Sequence, residues 1–315
     1  MSYIFSTVPL TEEQVERIRL TAPNYEIVIG KDKEKEGMNK AEIVVGWKDQ
    51  FAEVIKQSQT PLKWIQVWSA GVDRMPYPVL AERNIYLTTT SGIHAYPISE
   101  TVLAMMLSFT RHLHIHIRNQ MNSIWQPKGP LEEMHGKTVG IVGVGAIGEE
   151  IARLLQAFGM RVIGLRHSGR PSKYVDKMVD AGGLSHLLQE SDYVVVTLPL
   201  TAATKKMFAA EQFRYMKRSA MFINIGRGEV VDEQALIQAL QEGQIAGAGL
   251  DVFEQEPLPA DSPLWQMEQV IITPHVSGSS RYYNERAFEI FIDNLAAYLK
   301  EGRPCRNLVD YDKQY

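Results

Sequence analysis

Gly143, Gly145 and Gly148 stand in the order G-x-G-x-x-G, directly after the apolar run TVGIV and directly before a stretch whose apolar residues recur at helical spacing. In that setting each glycine has a task. The first permits a tight turn, the second lets backbone approach a phosphate, and the third allows a helix to lie close on its strand. The N-terminus of that helix, with unpaired N–H groups and the positive end of its dipole, attracts negative charge. The context predicts a Rossmann-type, doubly wound parallel sheet that cradles the pyrophosphate of a dinucleotide, with Gly143, Gly145, Ala146, Ile147 and Gly148 as the loop. A merely flexible glycine-rich turn would not explain the flanking strand and helix.

The same alternation extends along the chain. Downstream, RVIGL, YVVVTL, MFINI, AGAGLDVF and QVIITPHV are strand candidates, and Ile147, Ile151, Leu154, Leu155 and Phe158 share one helical face ahead of Gly159. Asp232 is a candidate N-cap for a helix ended by Gly243. Upstream, YIFSTV, YEIVIG, EIVVGW, KWIQVW and IYLTTT read as strands and TEEQVERIRL as an amphipathic helix, which predicts a second, flavodoxin-like α/β sheet. A chain of 315 residues exceeds the size at which single cores stop growing. One long helix is expected from about Ile98 to Gln120, and a last one from about Arg281 to Leu299 that returns to the first domain. The expected division is 1–97 with 283–315 for a discontinuous substrate-binding domain and 98–282 for the dinucleotide domain. KDKEKEG at 31–37 reads as a charged surface loop.

Composition excludes other classes. Hydrophobic residues make up 45% and charged residues 22%, ordinary for a folded protein. A formal charge of -4 supplies no basic field for nucleic acid or anionic lipid. The longest strongly apolar stretch, TVLAMMLSFT, falls short of the roughly 20 residues that span a bilayer. The N-terminus does not read as a signal peptide, and one cysteine, Cys305, favours the reducing cytoplasm.

Beyond a dinucleotide loop, an acidic residue usually ends the next strand and binds the adenosine ribose. Here RVIGL is followed by Arg166, His167, Ser168 and, after Gly169, Arg170, donors suited to a 2'-phosphate. NADP is therefore the expected cofactor, with NAD still possible. Pro199, just after YVVVTL, joins the cofactor set.

Three polar segments stand at strand ends of the second domain: INIGRGEVVDE, LDVFEQEP and ITPHVSGSS. Together with HGKTVGIVGVGAIG ahead of them, they resemble the D-isomer-specific 2-hydroxyacid dehydrogenase family across essentially the whole chain, most closely its glyoxylate/hydroxypyruvate reductases. The resemblance implies that Arg227 binds substrate, that His275 is the catalytic acid/base with Glu256 as its carboxylate partner, and that Asp251 contacts the carboxamide side of the nicotinamide. It also implies a carboxylate-binding loop in SAGVD, through backbone amides around Ala70 and Gly71, and a homodimer with its active site in the cleft between domains.

Chemistry supports these roles independently. A 2-keto acid offers a carboxylate and an adjacent carbonyl that a planar guanidinium can bind at two points. Charge building on the carbonyl oxygen can be discharged by a proton from His275, whose ring Glu256 would orient. Taken singly, Arg227 could be a turn arginine, Glu256 a loop charge and His275 a strand-end histidine; their joint order favours the functional reading. Small residues at 69–71 let N–H groups converge on an anion.

The reduction of a small 2-keto acid, such as glyoxylate or hydroxypyruvate, to a D-2-hydroxy acid is the expected activity. Formate oxidation is disfavoured, because the formate dehydrogenases of the family place Gln where Glu256 stands. The alternative is a nucleotide-sensing, corepressor-like binding protein on the same fold. His112, His114 and His116 do not complete a metal site, and none is expected. His94, Tyr96 and several tryptophans, Trp125 among them, are candidates for lining a pocket or for packing.

Overall fold

A computed structural model describes residues 2–30, 34–57, 60–72, 75–127 and 129–312. The chain forms two compact units, Met1–Ile93 with Ser280–Tyr315, and His94–Ser279. The division expected at 97/98 would cut a helix in its first turn, whereas the unit begins just before that helix.

The first unit runs β1 (Ser2–Ser6), α1 (Glu12–Thr21), β2 (Tyr25–Ile29), α2 (Glu34–Lys40), β3 (Ala41–Val45), α3 (Phe51–Gln57), β4 (Trp64–Gln66), α4 (Tyr77–Glu82) and β5 (Tyr86–Thr88). Its five strands are parallel in the order β2-β1-β3-β4-β5, the flavodoxin-like arrangement. Side chains alternate across the sheet, so both faces are buried. Phe5, Val44, Ile65 and Leu87 pack with Phe51, Ile55 and Leu80 on one face. Ile4, Ile43 and Trp64 meet Ile18 of α1 and Phe288, Phe291 and Leu295 of the C-terminal helix on the other. The charged segment at 31–37 is not all loop, since α2 starts at Glu34; its residues 31–33 lie outside the described residues.

The second unit continues with α5 (Ala95–Thr110), α6 (Leu113–Met121), β6 (Thr138–Val142), α7 (Ala146–Ala157), β7 (Arg161–Leu165), β8 (Lys177–Val179), α8 (Leu184–Glu190), β9 (Tyr193–Val196), α9 (Ala210–Tyr215), β10 (Met221–Asn224), α10 (Glu233–Gln241), β11 (Gly247–Leu250) and β12 (Val270–Ile272). The chain then rejoins the first unit as α11 (Tyr283–Glu301). Seven parallel strands lie in the order β12-β11-β10-β9-β6-β7-β8. Val194 and Val196 pack with Phe213, Phe222 and Leu240 on one face, while Val195 and Ile141 meet Met106 and Leu155 on the other. Burial on both faces explains why YVVV carries no polar alternation.

The single helix expected from Ile98 to Gln120 is two. His112 adopts a left-handed conformation (φ 52°) and separates α5 from α6. Packing changes at that point: Val102, Met105, Met106 and Phe109 of α5 are buried, and no residue of α6 is. Of the expected face of α7, Ile151 and Leu155 are core, whereas Phe158 lies past the helix and is exposed. Asp232 caps α10 by accepting from the Ala235 amide at 3.2 Å. Among the described residues no helix is long and apolar enough to cross a membrane.

Candidate active site

In an open parallel sheet, polar groups gather where the strands end and the order reverses. In the second unit that reversal lies between β6 and β9, and the glycine loop follows β6. Gly143 has φ 110°, a left-handed value that suits glycine, and its amide donates to the Leu165 carbonyl at 3.0 Å. A Cβ on Gly148 would lie 2.5 Å from the Gly143 oxygen, so only glycine lets α7 come this close to the turn. A Cβ on Gly145 would meet nothing within 4 Å. Gly145 is also the N-cap of α7 and supplies no side-chain cap, so the first-turn amides of Ala146, Ile147 and Gly148 receive no capping side chain. An open approach above uncapped helix amides fits a pyrophosphate.

Arg166 follows β7, and His167, Ser168 and Arg170 beside it are exposed. The Arg166 guanidinium is folded inward, donating from Nε to the Val144 carbonyl and from Nη2 to Glu149 Oε1 at 2.7 Å. Pro199 follows β9, where its carbonyl accepts from Thr204 Oγ1 at 2.7 Å.

Arg227 follows β10 in a turn tied by Asn224, whose Nδ2 donates to the Arg227 carbonyl at 3.1 Å and whose Oδ1 accepts from the Gly226 amide at 3.0 Å. Its Nη1 donates to the Gly226 carbonyl at 2.8 Å. A Cβ on Gly228 would fall 1.9 Å from the Phe253 backbone, so β10 and β11 leave no room for any other residue there. His94 lies near this arginine. Burial foremost, and then the Arg227 charge, push its imidazole below the ordinary histidine range and keep it neutral at neutral pH.

His275 and Glu256 come from different loops and meet: Nδ1 lies 2.7 Å from Glu256 Oε2, and Oε1 accepts from the Phe253 amide at 3.1 Å. Glu256 is thus held from both sides. With Nδ1 bonded to a carboxylate, the half-exposed ring turns Nε2 outward, without a partner among the described residues.

Asp251 holds a position that sequence reasoning did not foresee. Fully buried at the end of β11, it accepts from Thr273 Oγ1 at 2.6 Å, from the amides of Val276 and Ser277 at 3.0 and 3.1 Å, and from Ser277 Oγ. Its carbonyl accepts from the His275 amide at 2.9 Å. These bonds fix the backbone on both sides of His275, which sits at φ 53°. A non-glycine residue there is strained by a kilocalorie or so and persists only where its surroundings hold it. The signal was the pair of hydroxyls flanking the histidine in ITPHVSGSS.

In the first unit, the loop after β4 has its carbonyls pulled into the scaffold. Trp68 O accepts from the Tyr283 hydroxyl, Ser69 O from the Thr90 amide at 3.0 Å, Gly71 O from Ser69 Oγ at 2.8 Å and Val72 O from the Tyr77 hydroxyl at 2.8 Å. In a trans peptide the next N–H points the opposite way, so the amides of Ser69 and Ala70 face outward. Among the described residues neither they nor the Gly71 amide has an acceptor. Adjacent free amides make an anion site. Tyr283 and Trp68 were invisible in this role, because hydroxyl-to-carbonyl bonds between α11 and a distant loop leave no motif. Asp73, the last residue of SAGVD, lies outside the described residues.

Comparison with known proteins decides the family. The model of the "D-isomer specific 2-hydroxyacid dehydrogenase, NAD binding domain" matches residues 103–277. The chain is 37% identical over 266 residues to the glyoxylate reductase of Korarchaeum cryptofilum, spanning 83% of this chain and 80% of the relative. The chain belongs to the D-isomer-specific 2-hydroxyacid dehydrogenases. Another member of this family, glyoxylate/hydroxypyruvate reductase B of a Salmonella strain, is 37% identical over 281 residues, covering 87% of this chain and 86% of the relative. The solved structure of the NADPH-dependent glyoxylate/hydroxypyruvate reductase of Sinorhizobium meliloti, in complex with NADP and sulfate, superposes with TM-score 0.84 at 28% identity and covers 100% of both chains. As a member of this family the protein is an NAD(P)-dependent 2-hydroxyacid dehydrogenase with a Rossmann-type dinucleotide domain.

Proposed function

We propose that the protein reduces small 2-keto acids with NADPH preferred over NADH, first among them glyoxylate, to glycolate, and hydroxypyruvate, to D-glycerate. The observation that carries this reading is the His275–Glu256 pair, 2.7 Å apart, on a backbone segment fixed by a buried aspartate. A general acid must be oriented before it is useful. The names borne by the relatives at 37% identity support the substrate class.

When bound, a nicotinamide dinucleotide supplies the hydride. Gly143 to Gly148 and the first turn of α7 would hold its pyrophosphate, Pro199 would border it, and Arg166, His167, Ser168 and Arg170 would meet its adenosine end. Arg227 binds the substrate carboxylate and polarises the adjacent carbonyl, because a guanidinium fork matches both oxygens. In the first unit, the amides of Ser69, Ala70 and Gly71, without an acceptor among the described residues, form an anion site suited to a carboxylate. His275 Nε2 gives a proton to the carbonyl oxygen as negative charge builds there, and Glu256 steadies the imidazolium. Asp251 acts as a positioning residue for His275. The unit Met1–Ile93 with Ser280–Tyr315 is then the substrate-binding domain.

The reading is tested by measuring turnover of a panel of 2-keto acids with each cofactor. Glyoxylate or hydroxypyruvate should be reduced with a kcat/KM about 10- to 10³-fold higher with NADPH than with NADH, a range set by charge-assisted bonds weakened by solvent and salt. No turnover with any member of the panel would favour the nucleotide-sensing alternative.

We further propose a homodimer built on α6 and the loop after it. Ile117, Met121 and Trp125 are 57%, 82% and 101% exposed, large apolar side chains that a partner could cover. Wild type should sediment as a dimer and a triple aspartate variant at these positions as a monomer; a monomeric wild type contradicts this. The lone thiol of Cys305, exposed and free of disulfide, suits the cytoplasm.

A further inference from the structure

The residue that ordinarily discriminates NAD from NADP in this fold is an acid at the end of the second strand, and this chain has Arg166 there. The sequence alone therefore reads as a cationic pocket. The structure puts a carboxylate into it from another element. Glu149 stands in the first turn of α7, one residue past the glycine motif, and its Oε1 lies 2.7 Å from Arg166 Nη2. The same guanidinium donates through Nε to the Val144 carbonyl inside the glycine loop. The arginine side chain is only 15% exposed, while the glutamate is 43% exposed. Arg166 is thus turned along the loop with one edge committed, and the open partner of the pair is the acid. Glu150, the next residue, is engaged elsewhere, with Arg153 at 2.6 Å.

We infer that Glu149 determines specificity at the 2' position of the adenosine ribose, by neutralising Arg166 and so restraining the preference for a 2'-phosphate. The inference rests on the cofactor placement proposed above. A phosphomonoester carries a charge of about −1.5 to −2 at neutral pH. Beside Arg166 alone it would be attracted; beside the pair it meets a cation and an anion together, and one edge of Arg166 is already bonded. A ribose hydroxyl has the opposite balance, since it can donate to a carboxylate. Glu149 therefore supplies from α7 the acid that β7 lacks, and keeps NADH usable.

The test is fluorescence titration of NADPH and NADH separately against wild type and Glu149→Gln, at low and at high salt, without substrate. Glutamine keeps the size and the acceptor oxygen and removes the charge. The ratio of dissociation constants, NADH over NADPH, should rise by about 3- to 30-fold in the variant, the scale of losing one unit charge near a phosphate at a partly solvated site. The rise should shrink as salt is added. Glu149→Ala, checked for an unchanged melting temperature, should move the ratio the same way. A ratio that stays constant in both variants, or that falls, overturns the inference; a fall would mean that Glu149 orients Arg166 towards the phosphate. The outcome separates from the cofactor reading itself. Tighter binding of NADH than NADPH by wild type would refute NADPH preference, whereas the direction of change on Glu149→Gln still decides the role of Glu149.

Discussion

Replacing His275 with alanine is expected to lower kcat by about 10²- to 10⁴-fold, the span for losing a general acid, while leaving the NADPH dissociation constant nearly unchanged. The second half of that expectation follows from the fold. His275 projects from the segment after β12, and the dinucleotide loop is built separately, from β6 and α7. Asp251 anchors the histidine segment through the Thr273 hydroxyl and the amides of Val276 and Ser277, and none of those bonds involves the imidazole. Truncating the ring should therefore leave the backbone where it is. Glu256→Gln should act in the same direction and less severely, because an amide can still bond Nδ1 but carries no charge to stabilise the imidazolium. Steady-state kinetics of the two variants beside fluorescence titration of NADPH checks both halves. A His275→Ala enzyme with near-normal kcat removes the histidine from the chemistry, and a lost NADPH affinity would show that the substitution disturbed the fold instead.

Arg227→Lys is expected to cost about 10²- to 10³-fold in kcat/KM, the usual loss when one preorganised donor to a developing oxyanion is removed. Lysine retains the charge and loses the planar fork, so it cannot serve carboxylate and carbonyl together. The turn itself should survive. It is tied by Asn224 to backbone atoms of Gly226 and Arg227, and Gly228 fills a gap too tight for any Cβ. The Arg227 side chain donates to the Gly226 carbonyl at 2.8 Å, a bond whose geometry a lysine would not reproduce. Measuring KM for glyoxylate and kcat separately shows whether the loss falls on ground-state binding or on the transition state. A lysine variant as efficient as wild type would contradict two-point recognition.

Much of this was legible in the sequence because it rests on local rules. The glycine spacing between a strand and an amphipathic helix specified β6 and α7, and the continuous apolar run YVVV followed from a strand covered on both faces. The expected pairing of Glu256 with His275 is seen as a contact of 2.7 Å. Three kinds of feature were not legible. Short elements such as β8, three residues long, carry too little periodicity to register. The break at His112 has no proline or glycine to announce it; the apolar face simply stops at Phe109, because α6 has no core to face. Contacts between distant residues are the third kind. Asp251 under the histidine segment, Tyr283 on the Trp68 carbonyl and Glu149 on Arg166 each join positions whose partners a linear reading does not pair. The last of these bears on function most, since Arg166 read alone is a phosphate ligand and Arg166 read with Glu149 is a neutral pair.

The most direct test of the account is the reaction of purified protein with hydroxypyruvate and NADPH, following cofactor oxidation while resolving the glycerate enantiomers. The account predicts one D-glycerate formed per NADPH oxidised, with almost none formed by Arg227→Lys or His275→Ala. L-glycerate as the product, or NADPH oxidation that persists undiminished in both variants, would contradict it.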